Sequence, residues 1–175
     1  MTDGFEVVGS RRLASTDLFS FERLHLVDPE GRGFSRDVLR HTGAVAVVPR
    51  IDNDVVLIRQ YRAAAGRALL EIPAGKRDVP GEPPEETARR ECAEEVGFTP
   101  SRLAPLAEFY TGPGFTDEFM LVYQGDDLTA VPTSPVSHEE VAAEIVRISL
   151  EDALGLIRSG EIVDAKTIIG LTLAT

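Results

Sequence analysis

Six glutamates crowd one short stretch of this chain: Glu82, Glu85, Glu86, Glu91, Glu94 and Glu95 all fall within GKRDVPGEPPEETARRECAEEVGF, residues 75 to 98. Carboxylates at that density repel one another, and they also supply the hard oxygen donors that Mg2+ or Mn2+ takes. Pro83 and Pro84 suit the first turn of a helix, where a missing N–H costs nothing, and Gly97 suits the position just past its end. The spacing therefore predicts a helix over residues 83–96. At about 100° per residue, Glu95 lies roughly 40° to one side of Glu91 and Glu94 roughly 60° to the other. Ala88, Cys92 and Val96 form an apolar stripe on the Glu95 side, so Glu91 and Glu95 border the buried face while Arg90 takes the opposite one.

Two readings stay open on spacing alone. Glu-rich helices are common as solvated faces, but a solvated face should lie opposite the stripe. Acids at the stripe's edge need a compensating cation, because like charges four residues apart cost about 0.2–0.5 kcal/mol per pair and more when half-buried. Mg2+ or Mn2+ fits that need and keeps waters that substrate phosphates can replace.

The flanking elements must present this helix. Stretches such as FSFERLHLV, closed by DPEGRG, read as an N-terminal β element of roughly 40 residues. GAVAVVPR and VVLIRQYR read as two strands around the polar turn IDND, and LLEIPAG as a strand running into the loop before the acidic helix. Strands are expected again at LAEFY, FMLVYQG and EIVRISL, with helices at LEDALGLIRSG and DAKTIIGLTLAT and a Pro-rich loop, TAVPTSPVSHEE, before the last strand.

Composition narrows the function classes. With 175 residues, 43% hydrophobic and 27% charged, the chain suits one globular domain with a small appended element. A net charge of −11 with no basic block argues against nucleic acid or an anionic membrane as partner, and an anionic substrate then needs a cation as intermediary. Cys92 is the single cysteine, so no internal disulfide forms, and no leader-like or membrane-length apolar run is present. These features predict a cytoplasmic location.

The wider pattern resembles a known signature. Gly75, Glu82 and the run Arg90-Glu91-Cys92-Ala93-Glu94-Glu95-Val96-Gly97-Phe98, with seven residues between Glu82 and Arg90, resemble the box of the Nudix hydrolases, which cleave nucleoside diphosphates linked to another moiety. Six residues instead of five separate Gly75 from Glu82, and Cys92 replaces an aliphatic residue. The extra residue falls in the loop, and Cys92 falls on the apolar stripe, where it reads as a small core residue.

The resemblance implies an α/β (α+β) chain with the Nudix fold: a mixed β-sheet between helices, residues 43–175, behind a small N-terminal β element, residues 1–42. It implies metal ligands at Glu91, Glu94 and Glu95 and at the Ala74 carbonyl, with Arg90 supporting the site through a box carboxylate such as Glu82. EIPAGKRDVPGE, together with Pro113 and Gly114 in YTGPGFTDE, is similar to the ADP-ribose pyrophosphatase branch, which splits ADP-ribose or a related nucleoside diphosphate sugar into AMP and ribose 5-phosphate. In that branch the N-terminal element is exchanged between subunits, so a homodimer is implied, and Arg36 and Arg62 sit where cations meet the substrate. The general base there comes from a loop after the box. SPVSHEEVAAE offers Glu139 and Glu140 first, with Glu144 and His138 as alternatives. Another nucleoside diphosphate substrate, or a nucleotide-binding module without catalysis, stays open beside this reading.

Overall fold

The computed structural model of the chain describes residues 4–16, 19–135 and 137–174. Its N-terminal strands, β1 (Glu6–Ser15), β2 (Ser20–Val27) and β3 (Gly33–Arg40), form an antiparallel meander in that order. The β2–β3 turn is built by Asp28, whose carboxylate accepts from the backbone N–H groups of Glu30 at 3.1 Å and Arg32 at 2.8 Å, while Gly31 supplies the positive φ of 80°. These strands form one compact unit with residues 110–119, a segment that the sequence reading places in the second domain. Within this unit the Leu39 N–H donates to the Phe115 carbonyl at 2.8 Å, and Asp117 accepts from the Arg40 guanidinium and the His41 N–H.

The second unit holds a mixed sheet with helices on both faces. Its strands are β4 (Ala44–Ile51), β5 (Asp54–Arg62), β6 (Arg67–Glu71), β7 (Ala74–Lys76), β8 (Phe98–Tyr110), β9 (Phe119–Ala130) and β10 (Glu144–Ser149). The order is β10-β5-β4-β9-β8, with β6 on β5 and β7 on β4. β4 and β9 run parallel, and β4 is antiparallel to β5 and β7. The helices are α1 (Pro84–Val96), the single turn α2 (His138–Val141), α3 (Leu150–Ser159) and α4 (Ala165–Leu173).

Alternation along the central strands explains the layering. Val45, Val47, Val56 and Ile58 pack against Ala88, Cys92 and Val96 of α1, whereas Ala46, Val48, Val55 and Leu57 pack against Ala153 of α3 and Leu171 of α4. A strand buried on both faces reads as a continuous apolar run, which is what AVAVV is.

The sheet also splits. β4 and β5 pair at Arg50–Val55 and Ile51–Asp54, and farther along β6 follows β5 while β7 follows β4. The chain therefore crosses between the diverging strands at residues 72 and 73. Pro73 has no N–H to satisfy there, and its carbonyl accepts from Val47 N–H at 3.0 Å. The orphaned Ile72 N–H donates to the Thr167 hydroxyl of α4 at 2.9 Å, and Thr167 is fully buried. Thr167→Val is expected to cost about 1–3 kcal/mol in denaturant unfolding, whereas Thr167→Ser, which keeps the oxygen, recovers most of the loss.

Candidate functional site

The acidic helix starts one residue later than its spacing suggests. Pro83 is the extended N-cap, with φ −60° and ψ 145°, and its carbonyl takes the N–H groups of Glu86 and Thr87. The helix ends in the left-handed Gly97, φ 74°, whose N–H returns to Ala93 at 3.1 Å. The apolar stripe falls as expected: Ala88, Cys92 and Val96 are buried on the sheet, and burial pushes the Cys92 thiol up to about 12.

The carboxylates are gathered by one guanidinium. Arg90 donates to Glu82 at 3.1 Å and 3.3 Å, to Glu91 at 2.8 Å and to Glu94 at 3.2 Å. Glu82 accepts again from the Thr87 hydroxyl at 2.8 Å, and these bonds, Arg90's first, hold it below its ordinary carboxylate range. Glu95 instead accepts the Ala74 N–H at 2.9 Å, so the helix and the strand crossing are joined at the site.

Gly75 is required there by close approach. A Cβ on it would lie 1.8 Å from the Glu91 carboxyl carbon. Burial is also the first cause of raised carboxyl pKa values on this edge. It lifts Glu91 against the opposing Arg90, and it pushes Glu95 up to about 8, with the Ala74 bond opposing and the Glu91 charge adding.

These donors fit a hard divalent cation. Of three half-buried carboxylates on this edge, Glu91 and Glu94 share Arg90 and Glu95 holds the backbone crossing, and their oxygens are the donors that Mg2+ or Mn2+ takes. Among the described residues no three acidic, His or Cys side chains are grouped so that they could hold a metal ion in their present positions. Glu91 and Glu94 face Arg90 and Glu95 faces Ala74, so loading a cation requires these carboxylates to turn.

Around this edge the structure sorts the other candidates. Arg62 on β5 lies close enough to Glu95 for each charge to favour the other, yet its Nε and Nη2 grip Glu71 at 2.7 Å each. In the loop SPVSHEEVAAE, where Val136 lies outside the described residues, Glu139 and His138 are exposed on α2. Glu140 is half-buried, its backbone N–H and a carboxylate oxygen both bound to the Ser137 hydroxyl, and its charge reaches Glu95. Glu144 stands exposed on β10, 3.6 Å from Arg59. Arg36, Pro113 and Gly114 belong to the N-terminal unit, where they line one cavity of about 560 Å3 with Leu24 and Tyr110. Arg36 lies over the Phe34 ring at 4.8 Å.

Comparison with known proteins identifies the family. The sequence profile of the NUDIX domain matches residues 40–168, which enclose the whole acidic stretch. The chain belongs to the Nudix family. It is 40% identical to the ADP-ribose pyrophosphatase of Bacillus subtilis (strain 168) over 140 residues, 79% of this chain and 75% of that protein. To the ADP-ribose pyrophosphatase of Mycobacterium tuberculosis it is 38% identical over 168 residues, 95% of this chain and 81% of the other. A crystal structure of an ADP compounds hydrolase superposes with a TM-score of 0.85 at 27% identity, covering 97% of this chain and 91% of that one. The protein is a Nudix hydrolase with the mixed sheet and flanking helices of that fold. No helix among its described residues is long and apolar enough to cross a membrane.

Sequence reasoning about this Nudix chain missed the group behind Arg62. Glu71 is 1% exposed and bonds Lys166 as well as Arg62, while Lys166 reaches Asp164 at 3.1 Å. A glutamate inside the apolar run LLEIPAG was the available signal, because a charge is buried in such a run only with partners.

A carboxyl whose folded pKa exceeds its unfolded one keeps a proton that the unfolded chain releases. For Glu95, without divalent cation, stability falls as pH climbs from about 4.5 to about 8 and levels above that. Unfolding of wild type beside Glu95→Gln across this range checks it: the stability difference between the two should slope through that window and be flat beyond it.

Proposed function

We propose that this Nudix hydrolase cleaves the diphosphate bond of ADP-ribose to give AMP and ribose 5-phosphate, or that of a closely related nucleoside diphosphate sugar to give the nucleoside monophosphate and the sugar phosphate. The observation that carries the reading is the edge of α1, where Glu95 and Glu91 meet the Ala74–Gly75 crossing and one guanidinium ties Glu91 to Glu94. The names of the B. subtilis and M. tuberculosis relatives support ADP-ribose as the substrate.

Glu91, Glu94, Glu95 and the Ala74 carbonyl would hold the divalent cation, Mg2+ or Mn2+. When bound, it neutralises diphosphate charge and activates water. Arg90 keeps the carboxylates in register by tying Glu91 and Glu94 to the loop residue Glu82. Glu140 is the general base of choice over Glu139, because it is half-buried, oriented by Ser137 and within electrostatic range of Glu95, whereas Glu139 points into solvent. Arg62 meets the substrate's phosphates beside the acids.

Arg36, Pro113 and Gly114 are the substrate contacts proposed for the N-terminal unit, in a cavity whose lining also includes the apolar Leu24, Leu26 and Val38 and the polar Thr116 and Asp117. A homodimer is part of the proposal. β1 is an edge strand with nearly every residue exposed, and Phe5, Val7, Val8 and Leu13 stand in solvent, a surface suited to a second copy. A single buried thiol suits a reducing cytoplasm.

The test is cation-dependent AMP release from ADP-ribose, beside ADP-glucose and NADH, by wild type and by Glu139→Gln and Glu140→Gln. Glu140→Gln should lose about 100-fold or more in kcat and Glu139→Gln should stay near wild type. Full turnover by both variants removes Glu140 from the mechanism. Turnover of a comparison substrate in place of ADP-ribose moves the substrate assignment and leaves the hydrolase.

A further inference from the structure

Arg62 does not stand by itself on β5. Its Nε and Nη2 form a bidentate pair with Glu71, both at 2.7 Å, and Nη1 donates to no acceptor among the described residues. The Arg62 side chain stays 40% exposed while that of Glu71 is 1% exposed. A bidentate pair fixes the plane of a guanidinium, so Glu71 determines which way the free N–H groups point.

A buried glutamate facing one arginine would also cancel the charge it positions. Here it does not, because Lys166, at the start of α4, bonds the same Glu71 oxygen that Arg62 Nη2 uses. Lys166 is shared with Asp164, and Asp164 in turn caps α4, accepting from the Thr167 N–H at 3.0 Å and hydroxyl at 2.6 Å. Each carboxylate in the series is thus balanced from two sides: Asp164 by the helix N-terminus and Lys166, Glu71 by Lys166 and Arg62. The two carboxylates and two cations cancel formally, and the partial positive charge of the α4 N-terminus offsets part of Asp164, so the exposed edge of Arg62 stays available to an anion beside the acidic helix.

The geometry points to Glu71, charge-balanced by Lys166, as the positioning residue that aims Arg62 at a substrate phosphate beside the Glu91–Glu95 edge. This rests on the hydrolase reading above, and it adds that α4, on the sheet face opposite α1, sets the affinity of the site. Glu71 touches no substrate; it acts through Arg62.

The experiment is a double-mutant cycle with ADP-ribose, using Glu71→Gln, Arg62→Met and both together. Glu71→Gln should raise KM about tenfold or more with kcat held within about threefold, and should add nothing in the Arg62→Met background. Mn2+ binding to Glu71→Gln, followed by titration, should match wild type. If the two losses in kcat/KM multiply, or Glu71→Gln keeps the wild-type KM, Glu71 does not act through Arg62 and the inference is overturned.

Removing Glu71 alone leaves Lys166 and Arg62 without their partner, so Glu71→Gln/Lys166→Met, which keeps the charge balanced, serves where the single variant does not fold and should show the same KM rise. A wild type inactive on the whole panel would refute the hydrolase reading, and the positioning is then read from the Arg62 Nε–H resonance, assigned by its loss in Arg62→Met. Inorganic pyrophosphate should shift that signal in wild type and not in the Glu71 variant. No shift in wild type overturns the inference as well.

Discussion

Negative charge brought half out of water must be neutralised from nearby, and the second unit is organised around that requirement. Arg90 answers it by binding Glu82 from the loop and Glu91 and Glu94 from the helix, so loop and helix cannot take up independent positions. Glu95 is held by a backbone N–H of the crossing, which ties the same helix to the sheet. Gly75 follows from this: with the Glu91 carboxylate pressed against it, there is no volume for any side chain.

The split between β4 and β5 gives this charge centre its place. Diverging strands leave a wedge, and the chain between β6 and β7 fills it with an apolar Ile72 and an N–H-free Pro73. Glu71 stands just before the crossing and Ala74 just after it. One passage of backbone therefore carries the carboxylate that grips Arg62 and the N–H that holds Glu95. α4 closes the wedge from the other face through the Thr167 hydroxyl, which joins it to the same crossing whose Ala74 N–H holds Glu95.

Local chemistry made much of this legible. Proline before and glycine after the acidic helix fixed its limits to within a residue, and the 3.6-residue period placed Cys92 on the core side and Glu91 and Glu95 at its border. Strand positions were readable from AVAVV and from VVLI at the start of VVLIRQYR because doubly buried strands are uniformly apolar. LLEIPAG was read as a strand running into a loop, yet its end opens a second strand on a different partner, since a ladder change leaves no periodicity behind. Long-range pairing hid the rest. Nothing local says that Glu71 meets Lys166, 95 positions away, or that residues 110–119 join the N-terminal strands. Glu139 and Glu140 are adjacent and alike, and the structure separates them through the Ser137 cap that turns one inward.

The burial of Cys92 has a practical use. Its thiol is fully covered between α1 and the sheet, and its ionisation is suppressed to about 12, so a thiol reagent gains access when the helix lifts away. With one cysteine in the chain, the labelling rate is a clock for that opening and needs no engineered probe. Because the same helix carries Glu91, Glu94 and Glu95, a bound cation or nucleotide that slows the clock reports directly how far occupancy of the site locks its own scaffold.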